Sequence, residues 1–211
     1  MKQPNDKVLR ELYSVYGRRG EAIRNRLEEF SRVRASEYFY ELVYCILTPQ
    51  SSAANATKAV EKLRKMNFLE GEVNPEAILY QKDAYIRFHR TKARLLLDLK
   101  RNFPQILAAL SDGKPGTDLR EWLVRNVKGL GYKEASHFLR NVGVRDLAIL
   151  DRHILRNLKK FGAIRSLPKS LTRKQYLRIE KQFHHFADIV GIPLDELDLL
   201  FWSMETGKIL K

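Results

Sequence analysis

The sequence predicts an all-α protein of about ten helices. Apolar residues recur at intervals of three and four along almost the whole chain, which is the period of a helix with one buried face. No convincing pair of strands appears, and Gly and Pro interrupt the apolar pattern at intervals suited to short helices. These observations argue against a fold built on a β-sheet.

The first third of the chain contains three segments with clear helical spacing. Their apolar residues are Val8, Leu9, Leu12, Tyr13 and Tyr16; Leu42, Val43, Ile46 and Leu47; and Ala59, Val60, Leu63 and Met66. Loops are predicted at residues 67–75, 111–116 and 191–193, where Gly and Pro break the pattern.

The region between residues 117 and 143 predicts two helices joined by a tight hairpin. Asp118 is expected to cap the first helix, with Glu121 at its third position, and this helix is expected to end near Val127. In the next four residues, Lys128-Gly129-Leu130-Gly131, two glycines permit a positive φ and a close backbone approach. The second helix has apolar residues at i, i+3, i+4 and i+7 and is expected to stop at Gly143. They are Ala135, Phe138, Leu139 and Val142.

A further helix is predicted after the apolar run Leu147-Ala-Ile-Leu150. Ile154, Leu155 and Leu158 have helical spacing, which puts Asp151 at the N-cap. Most Asp residues at helix starts are plain caps, so the position alone assigns no chemistry to this carboxylate.

The predicted hairpin is a candidate phosphate-binding element. It exposes backbone N–H groups at the start of its second helix, and the positive end of the helix dipole attracts phosphate. Such a hairpin binds DNA without reading its sequence. The alternative is an ordinary turn between two helices, in which Gly-x-Gly is common.

The net charge favours the first interpretation. The chain has 39 Lys and Arg against 25 Asp and Glu, a formal charge of +14. This excess goes beyond what solubility requires and indicates a polyanionic partner. Nucleic acid is the leading candidate, and an anionic membrane surface is the second.

The cysteine content and the lack of long uncharged apolar segments narrow the classes of protein to which the chain could belong. The single cysteine, Cys45, forms no intrachain disulfide, and no Cys and His cluster has the spacing of metal ligands. No signal peptide or membrane span is indicated. We therefore expect a cytoplasmic protein without a metal or other cofactor.

The length of 211 residues corresponds to one domain or two small ones sharing a core. No low-complexity linker separates independent domains. The expected arrangement is two helical lobes around a cleft, one formed by residues 1–35 and 147–211 and the other by residues 36–146, which include the hairpin.

Two motifs together carry a family resemblance. Val127-Lys-Gly-Leu-Gly-Tyr-Lys133, followed by Ile149-Leu-Asp151-Arg-His153, resembles the helix-hairpin-helix and Gly/Pro…Asp signature of the base-excision DNA glycosylases. In members of this superfamily with lyase activity, a lysine lies two residues after the second hairpin glycine. Lys133 matches that lysine, and Asp151 matches the family's aspartate. Their separation is most similar to that in the type 2 8-oxoguanine DNA glycosylases.

Other features agree with this class. One cysteine excludes the iron–sulfur cluster of endonuclease III relatives, and the chain has no room for the β-rich N-terminal domain of the type 1 enzymes. Ile46-Leu-Thr-Pro-Gln50-Ser-Ser resembles the family loop that supplies a gap-filling residue, and Phe88-His-Arg-Thr-Lys-Ala93 resembles the segment before the next helix. The chain ends in Lys211, as type 2 enzymes typically do.

The resemblance implies roles for individual residues. Lys133 is the nucleophile, and Asp151 stabilises the positive charge that develops on the sugar. Lys128, Gly129, Leu130 and Gly131 form the hairpin that binds DNA. Without the motifs, the lysine is a solvated side chain and the aspartate a plain cap.

The base-recognition roles depend more strongly on the resemblance. Gln50 fills the stack left by the flipped base, Phe88 and Trp202 enclose that base, and Lys211 with its free carboxylate contacts the lesion. From spacing alone, the two aromatic residues are expected in the core. Gln50 is then a polar loop residue, and Lys211 is part of a frayed tail.

The resemblance implies a bifunctional glycosylase and abasic-site lyase that acts on 8-oxoguanine in double-stranded DNA as a monomer. A glycosylase for oxidised pyrimidines or mismatched thymine is the nearest alternative. A noncatalytic helix-hairpin-helix module, which needs neither Lys133 nor Asp151, is the alternative from a different class.

Overall fold

The computed structural model describes residues 6–209, and in this range it contains ten α-helices and no strand. The predicted all-α class is therefore confirmed. The helices are α1 (Asp6–Ser31), α2 (Tyr38–Leu47), α3 (Ala53–Lys65), α4 (Pro75–Leu79), α5 (His89–Leu110), α6 (Gly116–Asn126), α7 (Tyr132–Asn141), α8 (Arg152–Lys160), α9 (Arg173–Val190) and α10 (Leu194–Thr206).

The chain divides into two units. The hairpin unit comprises Val33–Phe138, and the terminal unit comprises the chain up to Arg32 and from Leu139 onward. The lobe bounds expected from sequence, after residues 35 and 146, remain a prediction. No helix within residues 6–209 is long and apolar enough to cross a membrane.

The hairpin unit is built around α2, in which nine of ten residues are buried. A helix that is apolar on all sides lies in the centre of a core, and α2 packs against both α3 and α5. The Phe39 ring lies 5.1 Å from that of Phe103 on α5 and 5.9 Å from that of Phe68. This packing gives α5 a fixed position beside the end of α2.

The start of α6 differs from the prediction. The helix begins at Gly116 after Pro115, so Asp118 lies in the first turn and is not the N-cap. The carbonyl of Pro115 accepts the first bonds of the helix, from the amides of Asp118 and Leu119. The fixed φ of proline is suited to the residue just before a helix. The carboxylate of Asp118, in the first turn, still interacts favourably with the positive end of the helix dipole.

The terminal unit is built around α10, which packs against α1, α8 and α9. Four fully buried phenylalanines fill the space between these helices, and the Phe201 ring stacks 5.2 Å from Phe161 and 5.9 Å from Phe183. A buried ion pair of 3.1 Å joins Arg140 at the end of α7 to Asp198 on α10. These contacts fix the end of α10 beside α8.

Candidate active site

The predicted hairpin is present between α6 and α7. Gly129 has a φ of 90°, and a Cβ atom there would lie 2.7 Å from Cδ1 of Leu95 on α5. Both the positive φ and the close approach favour glycine at this position. Leu130 is buried, whereas Lys128 and both glycines are exposed. The hairpin therefore anchors one side chain in the core and leaves its backbone accessible.

Two contacts between α6 and α7 hold the hairpin in shape. Arg120 is 1% exposed, and its Nη1 donates to Oγ of Ser136 at 3.2 Å. The hydroxyl of Tyr132 donates to the Glu121 carboxylate at 2.7 Å. Because these bonds cross from one helix to the other, the amides at the start of α7 have a defined direction.

Lys133 is the second residue of α7, directly after the hairpin. Its side chain is 26% exposed, and Nζ lies 3.2 Å from Oε1 of Glu134. The other oxygen of Glu134 accepts from the amide of Gly131 at 3.3 Å. The carboxylate of Glu134 therefore contacts both the lysine amine and the hairpin backbone, which sequence reasoning had missed.

A second lysine of this unit was also missed. Lys92 on α5 is 5% exposed, and its Nζ donates to the carbonyls of Leu47 and Pro49 at 2.7 and 2.6 Å. Burial, followed by the charge of Lys133, lowers the pKa of Lys92 from 10.5 to about 8. The sequence does contain a signal for the burial of Lys92, because this lysine is the first residue of an otherwise apolar stripe on α5. Its buried members are Leu96, Leu99, Phe103 and Ile106.

Gln50 and Phe88 lie on two turns joined by hydrogen bonds. Both residues are exposed and have left-handed backbone angles, with φ of 58° and 60°. The amide of Arg87 donates to Oγ of Ser51 at 3.0 Å, and the side-chain amide of Asn55 donates to the carbonyl of Tyr85 at 2.9 Å. The structure thus brings the neighbourhoods of Gln50 and Phe88 together.

The surroundings of Phe88 are open. The side chain is 50% exposed, and the Arg87 guanidinium lies 5.0 Å from the ring centroid. Phe88 is therefore not a core residue, which was the alternative based on spacing. Its predicted role in enclosing a base stays a prediction.

In the terminal unit, Asp151 is the N-cap of α8, as predicted. One oxygen, Oδ1, accepts from the amides of His153 and Ile154, both at 2.8 Å. Both bonds use Oδ1, and no hydrogen bond from another described residue reaches Oδ2. The cap thus fixes the carboxylate while leaving one oxygen for another partner.

Trp202 on α10 lies close to the start of α8. Its ring centroid is 6.3 Å from that of His153, two residues after Asp151. Glu205 joins the same group, because its carboxylate accepts from Nδ2 of Asn157 at 3.1 Å and lies 3.6 Å from Nδ1 of His153. Trp202 is partly exposed. Lys211, the third predicted base contact, lies outside the described residues.

The terminal unit also has an open groove of about 400 Å³. It is lined by Arg24, Leu27, Glu28, Arg145, Asp146, Pro193, Asp195 and Glu196. No predicted site residue is in this lining. Among the described residues, no group of three or more His, Cys, Asp or Glu side chains is arranged to hold a metal ion.

Comparison with protein families matches residues 23–192 to a family described as 8-oxoguanine DNA glycosylase. The chain is 39% identical to the 8-oxoguanine DNA glycosylase/AP lyase of Fusobacterium nucleatum, over 95% of this chain and 96% of the relative. It is 43% identical to the Korarchaeum cryptofilum enzyme of the same description, over 90% and 91% of the two chains.

Solved structures show the same similarity. The Thermotoga maritima 8-oxoguanine DNA glycosylase matches with a TM-score of 0.85 and 32% identity, over 98% of this chain and 99% of that one. The Methanocaldococcus jannaschii 8-oxoguanine glycosylase/lyase in complex with a DNA 15-mer containing 8-oxoguanine matches with a TM-score of 0.86 and 35% identity, over 97% and 100%.

Proposed function

The chain belongs to the 8-oxoguanine DNA glycosylase family, and from this membership we propose that it excises 8-oxoguanine from duplex DNA and then cleaves the abasic strand. Its curated relatives are glycosylase/AP lyases, and one similar solved structure contains DNA with the lesion. The observation that carries the proposal is Lys133 on the first turn of α7, directly behind a rigid hairpin with exposed backbone.

DNA binding by the hairpin rests on electrostatics. The first backbone hydrogen bond of α7 is donated by the amide of Ala135 to the carbonyl of Gly131. The backbone amides that come before Ala135 in the helix therefore suit a phosphate oxygen. Lys128 adds an exposed cation beside them. Gln50 and Phe88 form a neighbouring contact surface, from which Gln50 enters the gap left by the flipped base.

In the proposed reaction, the unprotonated amine of Lys133 attacks C1′ of the damaged nucleotide, and the bond between C1′ and the base breaks. The sugar ring then opens, and the amine is left as a Schiff base at C1′. Loss of a proton from C2′ expels the 3′ phosphate by β-elimination, which nicks the strand. Hydrolysis releases the lysine for another turnover.

Asp151 is proposed to stabilise the positive charge that develops on the sugar as the base departs. Support comes from its two bonds through Oδ1, which hold the carboxylate and leave Oδ2 for the substrate. Trp202 is proposed to stack on the flipped base, together with Phe88. Lys211 is proposed to contact the lesion, as the family resemblance implies.

Borohydride trapping on duplexes that each carry one lesion tests the proposal. Wild-type protein should become covalently attached to 8-oxoguanine DNA and to abasic DNA. Lys133→Gln should lose attachment and nicking on both, and Asp151→Asn should lose base release while keeping its helix cap. Deleting residues 209–211 should reduce excision of 8-oxoguanine more than cleavage at preformed abasic sites.

Lys114→Gln is the matched control, because Lys114 is also a lysine beside a carboxylate, 2.7 Å from Asp112, and it lies outside the proposed site. It should trap like wild type. Preference for thymine glycol over 8-oxoguanine would move the assignment to another glycosylase class. No trapping on any substrate would favour a noncatalytic DNA-binding module.

A further inference from the structure

The loop that carries Gln50 has an unusual backbone. Four non-glycine residues in the described chain have a positive φ, and two of them are Asn67 and Asp146, types that tolerate this region. The other two are Gln50 and Phe88. Such conformations cost free energy, and they persist where the surrounding structure determines them.

Lys92 contacts the backbone on the N-terminal side of Gln50. Its Nζ donates to the carbonyl of Pro49 at 2.6 Å, and this carbonyl belongs to the peptide whose nitrogen is that of Gln50. The second bond, 2.7 Å to the carbonyl of Leu47, binds the last residue of α2. Helix C-termini carry partial negative charge, so a buried cation is well placed there. The orientation of one peptide bond therefore depends on the Lys92 ammonium.

The same lysine is connected to the second strained turn. Its own backbone amide donates to the carbonyl of Phe88 at 2.9 Å. Oγ of Ser51, which accepts from the amide of Arg87, lies 3.5 Å from Nζ of Lys92. The positions of Gln50 and Phe88 thus share a single buried anchor on α5.

We propose that Lys92 is a positioning residue, which holds Gln50 in the conformation that enters the DNA stack when the damaged base is flipped. The proposal rests on the proposed function of Gln50. Lys92 touches no reacting atom and acts through the Pro49–Gln50 peptide. Without its bonds, the loop loses the orientation of that peptide and Gln50 no longer points into the duplex.

The test is a double-mutant cycle between Lys92 and Gln50. Single-turnover excision is measured for wild type, Gln50→Ala, Lys92→Met and the double variant, on DNA with 8-oxoguanine next to the fluorescent base 2-aminopurine. Gln50→Ala and Lys92→Met should each slow excision roughly tenfold, because the contact of the Gln50 side chain inside the DNA stack is lost in either case. The double variant should be within about twofold of the single ones, since both changes remove the same contact.

Lys100→Met is the matched control. Lys100 lies on the same helix and also donates to a backbone carbonyl, that of Gly71 at 2.7 Å, but it is outside the Gln50 loop. This variant should excise at the wild-type rate and should leave the fluorescence change of 2-aminopurine intact. Lys92→Arg, which keeps a cation with several donors, should restore part of the rate and serves in the cycle if Lys92→Met does not fold.

The outcomes separate the two proposals. Losses that multiply in the double variant, or wild-type excision by the folded Lys92 variants, overturn the positioning role of Lys92 alone. Wild-type excision by Gln50→Ala overturns the function of Gln50 and the positioning proposal with it. Absence of excision by the wild-type protein instead contradicts the proposed enzyme.

Discussion

At the residue scale, Lys92 and Lys133 have very different surroundings. Lys92 is almost fully buried and donates hydrogen bonds to two backbone carbonyls. Lys133 is partly exposed and lies beside the carboxylate of Glu134. A buried ammonium loses hydration, and the carbonyl groups only partly replace it. The free energy of unfolding should therefore depend on the protonation of Lys92.

The expected pH dependence follows from the sign of the pKa shift. The pKa of Lys92 is about 8 in the folded protein and near its ordinary value of 10.5 in the unfolded chain. Between these values the unfolded chain binds more protons, so the contribution of Lys92 to stability increases as pH rises from 8 to 10.5. The total gain is at most about 3 kcal/mol.

Urea unfolding of wild type and Lys92→Met at several pH values measures this contribution. The stability of wild type relative to Lys92→Met should be lowest and constant below pH 8, and it should then increase up to pH 10.5. A difference that stays constant over this range would show that Lys92 keeps its ordinary pKa in the folded state.

At the element scale, the hairpin depends on Gly129. Alanine there would have a φ of 90° and a Cβ only 2.7 Å from the Leu95 side chain. The left-handed backbone alone costs about 1 kcal/mol or more, and the contact forces Leu95 or the hairpin to move. Gly129→Ala should therefore lower both stability and DNA affinity.

Gly113→Ala is the matched control for this prediction. Gly113 has a φ of 67° and lies in the loop before α6, where a Cβ atom would have no neighbour within 4 Å. It should lose a similar amount of stability from backbone strain while binding abasic DNA like wild type. Equal DNA affinities for the two variants would show that the hairpin backbone is not a DNA contact.

At the scale of the whole molecule, the charge of +14 should make DNA binding strongly dependent on salt. Each protein cation that neutralises a phosphate releases counterions, so the affinity falls linearly with salt concentration on logarithmic axes. Lys128 is 77% exposed at the hairpin and is proposed to make one such contact. Lys128→Gln should therefore reduce the slope by about 0.9.

Fluorescence anisotropy with abasic duplex at several salt concentrations gives the slope. Lys128 pairs with Asp98 at 3.2 Å, and Lys114 likewise pairs with Asp112. Lys114→Gln therefore removes the same charge from a comparable ion pair and should leave the slope unchanged. If the two variants give the same slope, Lys128 makes no phosphate contact and the charge acts only through the overall field of the protein.

The sequence by itself determined the features that depend on neighbouring residues. The helical class, the hairpin around Gly129, and the N-cap at Asp151 follow from periodicity, from the backbone freedom of glycine and from capping chemistry. Each of these acts over a few residues along the chain. The family motif places Lys133 at the hairpin for the same reason, since its spacing from Gly131 is local.

Only the tertiary structure decided which distant residues meet. Lys92 contacts carbonyls more than forty residues earlier in the chain, and Trp202 lies beside His153, because helices pack through their buried faces. Periodicity identifies a buried face but not the partner it packs against, so these contacts follow from packing among helices far apart in sequence.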